Sequence, residues 1–257
     1  MVKAVFLDFD YTIYSHKTTC IPASAKRAIL ALKEKGVKVF LATGRNTAEL
    51  DIFPEYKELH FDGFIMLNGQ VCLDGEYKTV FKKSFDSKSL KALVDLFNSK
   101  TQPIVFIEEN DNYINYTDPI VTLANGEIGC LDHKAKPYSG NPVYLAVAYI
   151  KKDEEAELLS KLPGCCLKRW GDNGVDIVCE GTDKAESIKK YLDILGIRPE
   201  ETLAIGDSYN DIDMIKNAGI GIAMGNSIKE LKDVADYTTT DIDDNGLENA
   251  LRHYGLI

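Results

Sequence analysis

The sequence predicts an α/β protein, a parallel sheet with helices on both faces, into which a smaller α+β domain is inserted. Three observations carry this. Apolar runs of strand length alternate with amphipathic stretches of helix length from Ala4 to Leu67, and the same rhythm returns after Thr182. Between them the pattern changes to strand pairs joined by tight turns, mixed with short helices. The parallel-type strands also end in clusters of small polar and acidic residues, where an open parallel sheet binds its ligands.

Ala4 to Leu7 is a continuous apolar run, the pattern of a strand covered on both faces. It breaks into Asp8 and Asp10 with Phe9 between them. Pro22 then opens an amphipathic helix through Ala25, Ala28, Ile29 and Leu32 that Gly36 closes. Val37 to Ala42 is a second strand, ending in Thr43, Gly44 and Arg45. Asn46 caps a short helix that stops before Pro54. Gly63 to Leu67 is a third strand, ending in Asn68 and Gly69. Val71 to Phe81 reads as a hairpin across Asp74-Gly75, a type I′ pair.

The inserted stretch is expected at 83–180. It holds a helix over Ser87 to Asn98 and strands at Ile104 to Glu108 and Tyr113 to Tyr116, around the turn Asn110-Asp111-Asn112. A helical or irregular passage leads to Pro142. A strand over Val143 to Ile150 follows, then a short helix over Asp153 to Lys161. Strands at Cys165 to Arg169 and Val175 to Cys179 flank the turn Gly171 to Gly174. Residues 1–82 and 181–257 form the other, Rossmann-like domain. In its second part Lys184 to Leu195 is a helix closed by Gly196, and Thr202 to Ile205 is a strand running into Gly206-Asp207-Ser208-Tyr209-Asn210-Asp211. Helices and short strands (Ile220 to Ala223, Asp236 to Thr239) then alternate up to a last helix ending at Tyr254.

Composition narrows the function. With 30 basic and 40 acidic residues the net charge is −10, and no basic block occurs, which argues against nucleic-acid or anionic-membrane surfaces. The six cysteines lack CxxC spacing and read as reduced, mostly buried thiols of a cytoplasmic protein. The four histidines have no zinc-site spacing and read as solvated or hydrogen-bonded. No targeting segment is visible, and the longest uncharged apolar run, Val143 to Ile150, is too short to span a bilayer. No obligate protein partner is evident.

Asp8, Asp10, Asp207 and Asp211 are four carboxylates at or just beyond strand ends, Thr43 is a hydroxyl at another, and Lys184 is a cation opening a helix. Carboxylates this close repel one another and call for a shared proton or a hard cation such as Mg²⁺. Phosphoryl transfer needs this inventory: a nucleophile, an acid/base, a metal, and donors for phosphoryl oxygens. Taken singly, Asp207 or Asp211 fits a helix N-terminus, and Lys184 a surface lysine.

The ordered set resembles the haloacid dehalogenase superfamily of phosphohydrolases. Its four motifs stand as Asp8-Phe9-Asp10-Tyr11-Thr12, Thr43 in LATGR, Lys184 in GTDKAESI, and Gly206-Asp207-Ser208-Tyr209-Asn210-Asp211. The insertion between the second and third motifs, AMGNS at Ala223 to Ser227, and Asn68-Gly69 resemble the Cof-type sugar-phosphatase branch. The resemblance implies that Asp8 is the nucleophile, forming an aspartyl-phosphate, and Asp10 the acid/base. It implies Mg²⁺ held by Asp8, the Asp10 carbonyl and Asp207 with Asp211 in support, and phosphoryl oxygens held by Thr43, Gly44, Lys184 and Asn210. Arg45 and Asn68 are where substrate or cap could be reached, and the insertion becomes a cap that excludes water. Within the cap, Gly171 to Gly174 and Asp176 are candidates for reading the leaving group. The substrate implied is a small phosphorylated metabolite such as a sugar phosphate. A phosphomutase sharing the intermediate, and a non-catalytic phosphometabolite-binding module, are the alternatives. One position departs from the family pattern: Tyr11 stands where glycine is usual.

Overall fold

A computed structural model describes residues 1–109, 111–128 and 133–257, with Glu127 and Ile128 described for their backbone alone. In chain order its elements begin with β1 (Ala4–Leu7), α1 (Ala23–Glu34), β2 (Lys38–Ala42), α2 (Thr47–Leu50), β3 (Gly63–Met66), β4 (Val71–Asp74) and β5 (Thr79–Lys82). Then come α3 (Ser87–Ser99), β6 (Ile104–Ile107), β7 (Asn112–Ile114), α4 (Pro119–Ile128), β8 (Lys134–Ala135), β9 (Leu145–Ala148), α5 (Glu155–Ser160), β10 (Cys165–Gly171) and β11 (Gly174–Cys179). The chain closes with α6 (Lys184–Leu195), β12 (Thr202–Gly206), α7 (Ile212–Asn217), β13 (Ile220–Ala223), α8 (Lys229–Lys232), β14 (Tyr237–Thr238) and α9 (Gly246–His253). Two compact units result, Met1–Phe81 with Asp183–Ile257, and Lys82–Thr182.

The first unit is built on a sheet of order β14-β13-β12-β1-β2-β3-β4-β5, parallel from β14 to β3. β1 is central, with Val5 opposite Leu203 on one side and Val39 on the other. A strand so placed loses both faces to the core, which is why all four of its residues are apolar and fully buried. Ala4, Phe6, Phe40 and Ala42 pack with Ile188, Tyr191, Leu192, Met214 and Ile215 of α6 and α7. Val5, Leu7, Val39 and Leu41 point to the opposite face, where α1 packs on β2 and on α9. Both helix layers therefore grip the strands whose ends carry the candidate residues.

The β4–β5 connection corrects the expected type I′ turn. The left-handed residue is Tyr77 (φ 62°), and the Tyr77 N–H donates to the Asp74 carbonyl at 3.0 Å. The Asp74 carboxylate accepts from the Glu76 and Lys78 amides, both at 2.9 Å, which holds a longer loop than two residues can form. Gly75 is required for close approach instead: a Cβ there would lie 2.8 Å from the Phe61 carbonyl oxygen.

The second unit is a sheet of order β10-β11-β9-β6-β7-β8. Its core combines Leu93, Leu96 and Phe97 of α3 with Ile104, Phe106, Tyr113, Ala146, Ala148, Val175 and Ile177. Asp176 is buried between two of these core residues on β11, facing away from that core. The two-residue strand β8, parallel to β7, was not foreseen from the sequence; two residues carry no period. Asn110 of the expected turn and Cys130 lie outside the described residues. Among the described cysteines all are free thiols; Cys72, Cys165 and Cys179 are buried, Cys20 and Cys166 half-buried. No helix among the described residues is long and apolar enough to cross a membrane.

Candidate active site

The site grows from the end of β1. The Asp8 amide still bonds to the Ile205 carbonyl at 3.0 Å, so the carboxyl group leaves the sheet on a rigid base. The chain then wraps over the Phe9 carbonyl, which accepts from the Ile13 amide at 2.9 Å and the Tyr14 amide at 2.8 Å. This tight turn places Tyr11 in the left-handed region (φ 57°), a conformation glycine adopts at no steric cost. It also turns the fully buried Thr12 inward, where its hydroxyl donates to Asp207 Oδ1 at 3.0 Å.

Asp207 follows β12, and Asp211 closes the turn after it. Asp211 Oδ2 accepts from the amides of Asp207 (3.0 Å) and Ser208 (3.1 Å), and its side chain is fully buried. Gly206 is what makes room, since a Cβ there would stand 2.6 Å from Asp211 Cγ. Lys184 is the first residue of α6, whose N-cap Asp183 accepts from the Glu186 amide at 2.8 Å. Its ammonium donates to Asp8 Oδ1 at 2.6 Å and to Asp211 Oδ1 at 2.7 Å, with 1% of the residue exposed. Gly69 (φ 97°) packs so closely on the start of this helix that a Cβ would meet the Asp183 carbonyl oxygen at 2.3 Å.

Asp8, Asp207 and Asp211 each bring a carboxylate oxygen within 4.8 Å of the others, all three buried. One lysine does not balance them. Burial, with the Asp211 charge adding to it, pushes the Asp8 carboxyl up to about 7 against the pull of Lys184. Burial and the charges of Asp8 and Asp211 push Asp207 well above the usual carboxylate range. Burial alone would lower Lys184, but Asp211 and Asp8 outweigh it and hold the ammonium above its ordinary value. An all-oxygen donor set with excess negative charge fits a small hard dication such as Mg²⁺.

Asp10 belongs to a different group. Arg45 grips it with two bonds, Nε to Oδ2 and Nη2 to Oδ1, both 2.8 Å, and His16 Nε2 lies 2.6 Å from Oδ1. Burial pushes this carboxyl up, but Arg45 and His16 overcome it and hold it down at about 2. Asp10 is thus ionised at neutral pH in this arrangement. Its side chain takes no part in the acidic group of Asp8, Asp207 and Asp211.

Thr43, Asn68 and Asn210 form a third group. Thr43 is buried, and its hydroxyl accepts from the Arg45 amide at 3.1 Å across the half-buried Gly44. Its carbonyl accepts from the Asn68 amide at 3.1 Å, and Asn68 (φ 51°) accepts from Asn210 Nδ2 at 3.1 Å. The expected residues therefore gather in the first unit as three adjoining hydrogen-bonded groups. Sequence reasoning missed the parts of Thr12 and His16. Thr12 was signalled by its own motif, whereas His16 owes its place to the tight turn, which no periodicity announces.

A model of the haloacid dehalogenase-like hydrolases matches residues 5–251. The Bacillus subtilis (strain 168) protein YkrA is 31% identical over 259 residues, covering 99% of this chain and 98% of its own length. The 5-amino-6-(5-phospho-D-ribitylamino)uracil phosphatase YcsE of the same organism is 28% identical, covering 99% of this chain and 96% of its own. Among solved structures, the HAD subclass IIB sugar phosphatase BT4131 superposes with a TM-score of 0.90 and 32% identity, each chain covered in full.

Proposed function

We propose that this chain, which belongs to the haloacid dehalogenase-like hydrolases and is a phosphatase, hydrolyses small phosphomonoesters, sugar phosphates among them, through an aspartyl-phosphate on Asp8. The observation that carries the reading is the buried group of Asp8, Lys184, Asp207 and Asp211, with oxygens within 4.8 Å and a lysine bridging two of the carboxylates. The sugar-phosphate class is supported by the likeness to a sugar phosphatase at 32% identity over the full length.

In this reading Asp8 attacks phosphorus, and Lys184 holds the nucleophile oxygen and balances charge on the transferring group. Asp8, the Asp10 carbonyl, Asp207 and Asp211 would hold Mg²⁺, which when bound lowers the repulsion between phosphate and nucleophile. Thr12 orients Asp207, an outer contact of the kind on which metal affinity depends. Thr43, the Gly44 amide and Asn210 bind phosphoryl oxygens, and Arg45 and Asn68 line the approach. Asp10 gives a proton to the leaving alcohol and then takes one from water. For the first of these it must be protonated, so Arg45 Nε has to release Oδ2 when substrate arrives, while Oδ1 keeps its bonds to Arg45 Nη2 and His16. Residues 82–182 are read as the inserted cap domain.

Phosphate release from a panel of phosphorylated metabolites, with Mg²⁺ and with EDTA, tests the proposal. Asp8→Asn should silence release while leaving the melting curve cooperative. Turnover surviving in that variant would remove Asp8 as nucleophile. Substrate loss without matching inorganic phosphate would indicate a mutase instead.

A further inference from the structure

The sequence presents His16 as one of four solvated or hydrogen-bonded histidines, and the structure places it on Asp10. Arg45 alone fixes the plane of the carboxylate, but a guanidinium on a long side chain can swing with the group it holds. The imidazole is a second anchor, reaching Oδ1 at 2.6 Å from a different loop. That loop is tied down on both sides. Ser15 exchanges backbone bonds with Cys20 at 3.0 and 3.3 Å, and its hydroxyl donates to Asp243 at 2.7 Å. The Tyr11 carbonyl accepts from Asn226 Nδ2 at 2.8 Å.

The ring itself is boxed by aromatics. Tyr11 lies 4.7 Å from it, Tyr14 meets it edge-on at 5.1 Å, and Phe53 does so at 6.2 Å. Phe53 also carries the Arg45 guanidinium at 4.8 Å, so one side chain supports both anchors of Asp10. Tyr11 explains its own oddity here. A tyrosine at φ 57° is strained where glycine would be free, but only a side chain can pack against the imidazole.

We propose that His16, seated on Tyr11, is a positioning residue that, with Arg45, sets the orientation from which Asp10 serves the leaving group. The inference rests on the reading of Asp10 as the acid/base. Removing it should therefore hurt most where the leaving group most needs a proton.

The test compares kcat/KM for an alkyl phosphate, whose alcohol leaves poorly unaided, with that for p-nitrophenyl phosphate, whose phenolate leaves readily. His16→Ala should cut the alkyl value about 10- to 100-fold and the nitrophenyl value less than about threefold, since proton donation is lost only where it counts. His16→Gln, which can place an amide N–H on Asp10, should recover most of the alkyl activity. Tyr11→Gly, which relaxes the turn while removing the ring, should reproduce the selective loss in smaller measure should the alanine variant fold poorly. Equal losses on both esters, or none in any variant, overturn the role of His16 while Asp8→Asn still silences the wild-type reaction. A wild type that releases phosphate from neither ester, or an Asp8→Asn variant that releases it freely, overturns the phosphatase mechanism and this inference together.

Discussion

Replacing Lys184 by methionine keeps the length of the side chain and removes its charge. The ammonium is buried with two carboxylates at 2.6 and 2.7 Å, and the side chains of Asp8 and Asp211 are 9% and 0% exposed. Breaking such a pair by deleting one partner strands the other charges without water, at a cost of about 3–5 kcal/mol. For a chain of this size that lowers Tm by about 6–20 °C. The experiment is a thermal melt in EDTA near pH 8, above the value of about 7 to which the Asp8 carboxyl is pushed. A carboxyl raised in the folded state costs stability progressively as pH climbs from its unfolded value of about 4 to its folded one, so the penalty in Lys184→Met should shrink near pH 5. Adding Asp211→Asn should recover more than half of the loss, because the more deeply buried of the two stranded charges is then gone. A single variant that melts within about 2 °C of wild type at pH 8 would show that Lys184 does not compensate the acidic group.

Mg²⁺ added to the metal-free protein should raise Tm more at pH 8 than at pH 6, because Asp8, pushed up to about 7, holds a proton at pH 6 that the cation must displace. Thr12→Val, which takes the hydroxyl off Asp207, should weaken the Mg²⁺ midpoint about 10-fold or more by calorimetric titration while leaving the pH trend in place. Gly69→Ala should destabilise by about 2 kcal/mol or more in urea, its methyl driven to within 2.3 Å of the Asp183 carbonyl at a left-handed backbone position. The same variant should lose phosphate release beyond that cost, since Asp183 caps the helix that presents Lys184.

The alternation of apolar strands and amphipathic helices was legible because each element buries a full face, and the order of acidic strand ends revealed most of the candidate site. Period says nothing about side chains placed by a turn. The wrap over the Phe9 carbonyl decides that Thr12 points to Asp207 and that His16 reaches Asp10. Likewise Arg45, read as a possible contact to substrate, is committed to Asp10 by a two-pronged bond that only the meeting of two loops creates. The β4–β5 turn misled for a related reason. Asp74-Gly75 has the composition of a two-residue turn, but the Asp74 side chain captures two amides beyond it and lengthens the loop.

The central place of β1 has a consequence for how the chain comes into being. Its neighbour β2 follows soon in synthesis, but β12 is made only much later, and Thr12 waits 195 residues for Asp207. Asp8 likewise waits 176 residues for the ammonium of Lys184. Until then a nascent chain carries an apolar strand with one open edge, beside a carboxylate lacking its cation. Open edges recruit strands from other molecules, and contacts so distant along the chain form slowly. The central pairing of the first unit therefore closes only late in synthesis. A chain truncated before Thr202 should be found in inclusion bodies or bound to chaperones, even though its first strands and helices are all present.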